Sequence, residues 1–226
     1  GKFEDAADQL KKGFRFDPKG AGTVREIGLT LSYLGEFSEA ETYFDQAISL
    51  APDQGRTFDL KSDMYLRWHG DTKRSRIELE RAPAAYSSLR RLTWLDIYER
   101  NYQSALTRLG GATESAIHEQ VEITPIVQLR GLIHRFIGDT ASSRVAFDSA
   151  RVFLNSEIAR RPEDFRLYMS LGITLAGLGR KEEAVRQAQR AIELKPLSKD
   201  AIDGGFPLVA LAQVYARRSA FLKRLR

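Results

Sequence analysis

Residues 27–52, IGLTLSYLGEFSEAETYFDQAISLAP, are met again far along the chain as residues 171–196, LGITLAGLGRKEEAVRQAQRAIELKP. Superposing the two sets Gly28 on Gly172, Gly35 on Gly179, Ala40 on Ala184, Ala47 on Ala191 and Pro52 on Pro196. The start of the chain falls in the same frame. Phe3, Ala6, Leu10 and Pro18 stand one 34-residue step before Phe37, Ala40, Phe44 and Pro52. Self-similarity at this period marks an array of supersecondary units, each of which buries its apolar face against the next.

The residue types say what each unit is. Val24, Ile27 and Leu31 recur at i, i+3 and i+7, one face of an α-helix. Gly28 lies on that face, where a missing side chain lets a second helix approach, and Ala40 is small for the same reason. Phe44 fills the space one turn on. Gly35 stands where the first helix must stop, since glycine accepts the left-handed conformation that ends helices. Pro52 closes the second helix. The pattern therefore predicts antiparallel helix pairs with their smallest residues buried at the crossings, and no β-sheet.

The middle of the chain keeps this logic with looser letters. The small residue that opens each second helix recurs as Ala6, Ala40, Ser75, Ala105, Ser143 and Ala184, at spacings of 34, 35, 30, 38 and 41. Pro83 cuts one second helix short, Arg100 stands where a turn glycine is usual, and GGATESAIHEQ reads as an extended connection. The second helix after Ser143 runs on toward Arg160 before Pro162, and PLVALAQVYARRSAFLKRL reads as a final first helix without a partner.

These residues resemble the tetratricopeptide repeat, carried by Val24, Ile27, Gly28, Leu31, Gly35, Phe37, Ala40, Phe44, Ala47 and Pro52 in the first full unit. Tyr168, Leu171, Gly172, Leu175, Gly179, Ala184, Ala191 and Pro196 carry it in the last. The resemblance implies an all-α fold, a right-handed superhelical solenoid of antiparallel helix pairs with about twelve helices in one domain over residues 1–226. Its segments are 1–20 (second half of a truncated repeat), 21–54, 55–85 and 86–120 (both degenerate), 124–164 (long), 165–198, and 206–226 as an unpaired terminal helix. It also implies function: a scaffold that binds a protein or peptide in the groove lined by first helices. Carried onto this chain, the groove positions are Arg25, Leu29, Ser32 and Tyr33, then Gln128, Leu132, Arg135 and Phe136, then Arg166, Met169 and Ile173. Their mixture of aliphatic, aromatic and Arg side chains suits a peptide that is part apolar and part anionic. Repeats that clamp the C-terminal carboxylate of chaperone tails carry Lys and Asn where this chain has Arg25 and Leu29, so that clamp is absent. The stretch PLSKDAIDGGFPLVALAQVYA is similar to repeat regions attached to bacterial cyclases, kinases and transcriptional regulators. The second reading is accordingly a regulatory segment that docks within a larger signalling protein.

Charge and chemistry narrow the remaining classes. The net charge of +5 belongs to the last ten residues, RRSAFLKRLR; without their five basic residues the chain holds 30 basic and 30 acidic residues. A nucleic-acid binder needs a basic face against phosphates, so this balance argues against that class. The clusters KRSR at 73–76 and Arg90-Arg91 read as solvated helix faces, as do Glu39, Glu41 and Glu182-Glu183. With no cysteine, thiolate zinc sites, disulfides and thiol nucleophiles are excluded. His69, His118 and His134 lie far apart, HEQVE lacks the second histidine of a zinc-protease helix, and His134 reads as half-buried and hydrogen-bonded. DPKGAGT lacks the Lys-Ser/Thr of a phosphate loop and there is no G-x-S-x-G elbow. The reading is of a chain that is not an enzyme and takes no cofactor or metal. No apolar run approaches the roughly 20 residues of a membrane helix, and GKFEDAADQLKKGF is no signal peptide. We expect a cytoplasmic protein, and, as the chain lacks an initiator Met, a piece of a longer one.

Overall fold

The computed structural model describes residues 2–16, 20–84, 86, 88–200 and 203–223; the side chains of residues 2, 3, 7, 15, 16 and 217–223 are outside the description. Phe3 as a packing residue, Pro18 and the first residues of DPKGAGT thus lie outside it. The described chain is α-helical, in two compact units, Gly1–Asn101 and Tyr102–Arg226.

The first unit contains α1 (Lys2–Phe16), α2 (Ala21–Leu34), α3 (Phe37–Leu50), α4 (Gly55–His69), α5 (Thr72–Arg81) and α6 (Leu89–Tyr98). Val24, Ile27, Ala40, Phe44 and Ala47 are wholly shielded from solvent, as their spacing requires. A Cβ built on Gly28 would stand 3.2 Å from the Ala40 carbonyl oxygen and from the Phe44 ring, closer than packed carbons normally come. That is why this crossing takes glycine. In the next pair the same crossing is made by Ser62 and Ser75, whose buried hydroxyls hydrogen-bond at 2.6 Å. The loosened letters thus replace close approach by a polar bond. α2 and α4 end on Gly35 (φ 83°) and Gly70 (φ 65°), both left-handed. α5 stops at Arg81, two residues before Pro83. The chain beyond it lays the Tyr86 ring where a side chain on Gly55 would collide with it.

The second unit contains α7 (Tyr102–Gly110), β1 (Ala116–His118), β2 (Ile123–Pro125), α8 (Ile126–Ile137), α9 (Thr140–Arg160), α10 (Phe165–Gly177), α11 (Lys181–Leu194) and α12 (Gly205–Lys223). Ser143 donates to the Gly131 carbonyl at 2.8 Å where α9 crosses α8. At the α10–α11 crossing a Cβ on Gly172 would sit 3.1 Å from the Ala184 carbonyl oxygen. Asp139 and Asp164 cap α9 and α10 by accepting from the backbone N–H of Ser142 and Arg166.

One expectation needs correcting. The connection at 110–125 contains an antiparallel two-stranded ribbon, with Ala116 opposite Pro125, Ile117 opposite Thr124 and His118 opposite Ile123. It is no layer of the fold. Ala116 and Ile123 are plugs that pack with Leu154, Leu167 and Leu171, under the extra turns that make α9 21 residues long. Pairing the two strands satisfies backbone groups that this burial removes from water.

Candidate partner-binding face

Each first helix carries a residue at its crossing with the second: Gly28, Ser62, Gly131 and Gly172, and by spacing Thr93, twelve residues before Ala105. Counting from these positions organises the groove residues. Those five places further on are Tyr33, Arg67, Tyr98, Phe136 and Gly177. Tyr33 is 59% exposed, Tyr98 57% and Phe136 48%. A large ring left half in water costs apolar hydration unless something covers it. In the first unit the Arg67 guanidinium lies 4.6 Å from the centre of the Tyr33 ring, a cation–π contact, and is itself tied to Asp63 at 3.2 Å. Tyr98 leans on Trp94 with centroids 5.9 Å apart. In the second unit Phe136 stacks on Tyr102, also at 5.9 Å.

The other expected groove residues are engaged within their own units. Arg25 pairs with Glu26 at 3.0 Å and reaches the Gln54 side chain at 3.2 Å. Leu29 is half-buried against the first core, and Ser32 is buried. Gln128 is buried and clasps α10, donating to the Ser170 carbonyl at 3.2 Å and accepting from its hydroxyl at 2.7 Å. Leu132 and Met169 are buried; Ile173 is half-buried beside Met169 and Ala210. Arg135 donates to the Gly177 carbonyl, at the end of α10, and covers the Phe147 ring at 5.2 Å. Arg166 is forked onto Asp164 and donates to the Glu119 carbonyl at 2.8 Å, in the turn of the ribbon. Burial alone would raise the Asp164 carboxyl, but the bonds and charge of Arg166 outweigh it and hold it below the ordinary carboxylate range.

The basic clusters differ from the solvated faces expected of them. Arg76 binds Asp96 at 2.9 Å and Glu99 at 2.7 Å, joining α5 to α6. Arg91 binds Asp59 at 3.1 Å and Asp63 at 2.8 Å, joining α6 to α4. Burial raises the Asp59 carboxyl even against that guanidinium. Lys61 is buried between α3 and α5, on Asp45 at 2.6 Å and Glu78 at 3.3 Å. Glu41 accepts from Tyr65, whose phenol is raised by burial and by that carboxylate. Glu39 takes Lys11 of α1 at 2.8 Å. These acids and bases alternate across helices α3 to α6, which no reading of a single helix face exposes. His134 is half-buried with Nδ1 3.5 Å from Asp139, His69 stacks on Trp68, and His118 lies in β1. The five basic side chains of residues 217–226 lie outside the described residues. No described helix is long and apolar enough to cross a membrane.

Tyr98 and Arg67 were not among the expected groove positions, although the signal was present: both stand five places after a crossing residue, as Tyr33 and Phe136 do.

Comparison with known proteins agrees with the repeat frame. The sequence profile described as "Tetratricopeptide repeat" matches residues 26–54 and 165–196, the two units whose letters are sharpest. No curated protein matches the chain. Among solved structures, the complex titled "Crystal structure of APC/C hetero-tetramer Cut9-Hcn1" is similar with a TM-score of 0.52 and 15% identity. That match covers 97% of this chain and 40% of the other, so the chain spans well under half of it. "Crystal structure of MamA" matches at 17% identity over 88% of this chain and 92% of that one, with a TM-score of 0.33. "Structure of Naa15/Naa10 bound to HypK-THB" matches at 15% identity over 99% and 40%, with a TM-score of 0.44. Of these, the match to the Cut9-Hcn1 complex, with its TM-score above 0.5, speaks to fold, and at 15% identity to fold alone. Buried small residues at the crossings, left-handed glycines ending the first helices, and the two matched units together identify tetratricopeptide repeats at residues 26–54 and 165–196 of the chain.

Proposed function

We propose that each unit holds a protein or peptide segment against its own first helices, with Tyr33 as the anchoring ring in the first unit and Phe136 in the second. The family is in general one of protein-interaction scaffolds that work without catalysis. The observation that carries the finer reading is the recurrence of half-exposed rings at one position of the repeat, at Tyr33, Tyr98 and Phe136. Rigid aromatic side chains with one face already supported by a neighbour lose little entropy on binding, which makes them natural anchors. Arg25, Arg135 and Arg166 would set the face rather than meet an anionic partner, because their guanidiniums are already held by Glu26, the Gly177 carbonyl and Asp164. The partner segment is then chiefly apolar where it meets the rings. In the first unit half-buried Leu29 would flank it with Ser32 beneath; in the second, half-buried Ile173 would flank it with Gln128, Leu132 and Met169 beneath. Capture of partners with the intact chain, repeated with Tyr33→Ala and with Phe136→Ala, tests this. Each truncation should weaken retention by about tenfold or more, the effect of losing one anchor worth ~1.4 kcal/mol. Retention unchanged in both variants would overturn the assignment.

A further inference from the structure

A chain of charged side chains in the first unit connects the exposed ring on α2 to α6. Asp59, Asp63 and Arg67 stand at i, i+4 and i+8 of α4, so they follow one another along one face of that helix. From α6, Arg91 straddles the first two. Its Nε lies 3.1 Å from Asp59 Oδ1, and its Nη1 donates to Asp63 Oδ1 at 2.8 Å. The other Asp63 oxygen, Oδ2, faces Arg67 Nε at 3.2 Å. The Arg67 guanidinium in turn lies against the Tyr33 ring, 4.6 Å from its centre. One carboxylate thus serves two arginines, giving one oxygen to each.

The two links made by Asp63 differ in kind. Arg91 is joined to it by an in-line hydrogen bond. Arg67 is not: its Nε and Nη2 are shielded from water and meet no acceptor in line among the described residues. The charge of Asp63, rather than a directed bond, therefore draws Arg67 to its place beside the ring. An attraction of that kind has no preferred angle, so the guanidinium goes where Asp63 stands. Asp63 stands where Arg91 holds it, because the planar fork of an arginine presents two N–H edges at once, here to carboxylates on successive turns. Burial raises the Asp59 carboxyl and Arg91 opposes that rise, so the fork is engaged at both prongs. In the second unit Phe136 is instead backed by an uncharged ring, Tyr102.

We infer that Asp63 is a positioning residue for the Tyr33 ring and that Arg91 sets Asp63, so that α6 governs how the ring on α2 is presented. This rests on the reading of Tyr33 as an anchor and adds control of that anchor from two helices away. Whatever draws Arg91 off α4 unsettles the ring without touching it.

Nuclear magnetic resonance of the 226-residue chain with ring-labelled tyrosine tests this with no partner present. The signal lost in Tyr33→Phe is that of Tyr33, and its position in Arg67→Ala marks the ring with its cation removed. Asp63→Asn should shift the Tyr33 signal most of the way to that position, and Arg91→Ala should shift it in the same direction. Added to Asp63→Asn, Arg91→Ala should shift it no further. Arg76→Ala controls for simple loosening of α6, since it releases Asp96 and Glu99 of that helix from α5 and leaves Asp63 alone. It should leave Tyr33 at its wild-type position. A Tyr33 signal unmoved by Arg67→Ala, by Asp63→Asn or by Arg91→Ala overturns the proposal, as does one moved equally by Arg76→Ala. Far-UV circular dichroism checks that the helices persist. Where Arg91→Ala loses them, Arg91→Met, which keeps an apolar stem and drops the charge, takes its place. Partner retention unchanged by Tyr33→Ala would remove the anchor and leave these shifts as they are, so the two failures are told apart.

Discussion

Arg100 holds, at φ 60°, the kind of left-handed turn that Gly35, Gly70, Gly138 and Gly179 hold at the ends of their helices. Its N–H still closes onto Ile97 and that of Asn101 onto Asp96, so the turn is made as elsewhere, with a Cβ in the way. A non-glycine residue in this region carries a penalty of about 1 kcal/mol. Arg100→Gly should therefore raise stability by about that amount, seen as a higher denaturant midpoint, while Arg100→Ala should gain nothing. The crossing glycines behave in the opposite way. Gly172→Leu gains about 1 kcal/mol of helix propensity but drives its side chain into the Ala184 carbonyl and the Ala188 backbone, which cannot swing aside. Overpacking of this kind costs about 1–3 kcal/mol beyond that gain, so the variant should unfold earlier. Gly13→Ala meets nothing and should stabilise α1 by a few tenths to about 1 kcal/mol. Thermal melts of the two variants should move in opposite directions.

At the scale of elements, the ribbon of β1 and β2 is held at its turn by Arg166, and Arg166 is aimed by Asp164. Asp164 titrates lower in the fold than in the unfolded chain. Its contribution is therefore complete above the ordinary carboxylate pKa of about 4 and is lost as pH falls from there through the lowered folded value. Amide protection at Glu119 and Thr124, corrected for intrinsic exchange, should be flat above about pH 5 and fall below about pH 4. Arg166→Ala should remove that protection at neutral pH and leave α2 and α3 unchanged. The ribbon also marks what a sequence of this kind discloses. Helix pairs, the long α9, the stop before Pro83 and the glycine turns all follow from local spacing, because each cause lies within a few residues of its effect. The exposure of the Tyr33 and Phe136 rings follows on the same ground. The burial of Gln128 was not, since its partner Ser170 lies 42 positions away, nor was the plugging of Ala116 and Ile123 under Leu154. Those depend on which segment arrives opposite, and a repeat frame with spacings from 30 to 41 leaves that open.

On the scale of the whole molecule, the repeat units are joined by different physics, and that should make their stability uneven. α10 and α11 meet through Gly172, Ala184, Ala188, Leu171 and Leu175, a contact of apolar atoms and tight backbones. α3 to α6 meet through Lys61 with Asp45 and Glu78, Arg76 with Asp96 and Glu99, and Arg91 with Asp59 and Asp63. Arrays of this type gain stability by nearest-neighbour interfaces, so each junction responds to its own chemistry. Arg76 and Arg91 keep 22% and 28% of their side chains in water, where salt reaches them, whereas Lys61 at 3% is sheltered. At about 1 M salt the screening length falls to about 3 Å, comparable with the pairs themselves. Surface pairs contribute only about 0.2–1 kcal/mol each, but two arginines, each on two carboxylates, act on the same helix, α6, whose crossing position is Thr93 rather than glycine. Amide exchange in α6 should therefore quicken with added salt, in α4 and α5 less so, and in α10 and α11 hardly at all. Equal acceleration in α6 and α11, read by mass spectrometry along the chain, would show that the ion pairs do not hold α6 in place.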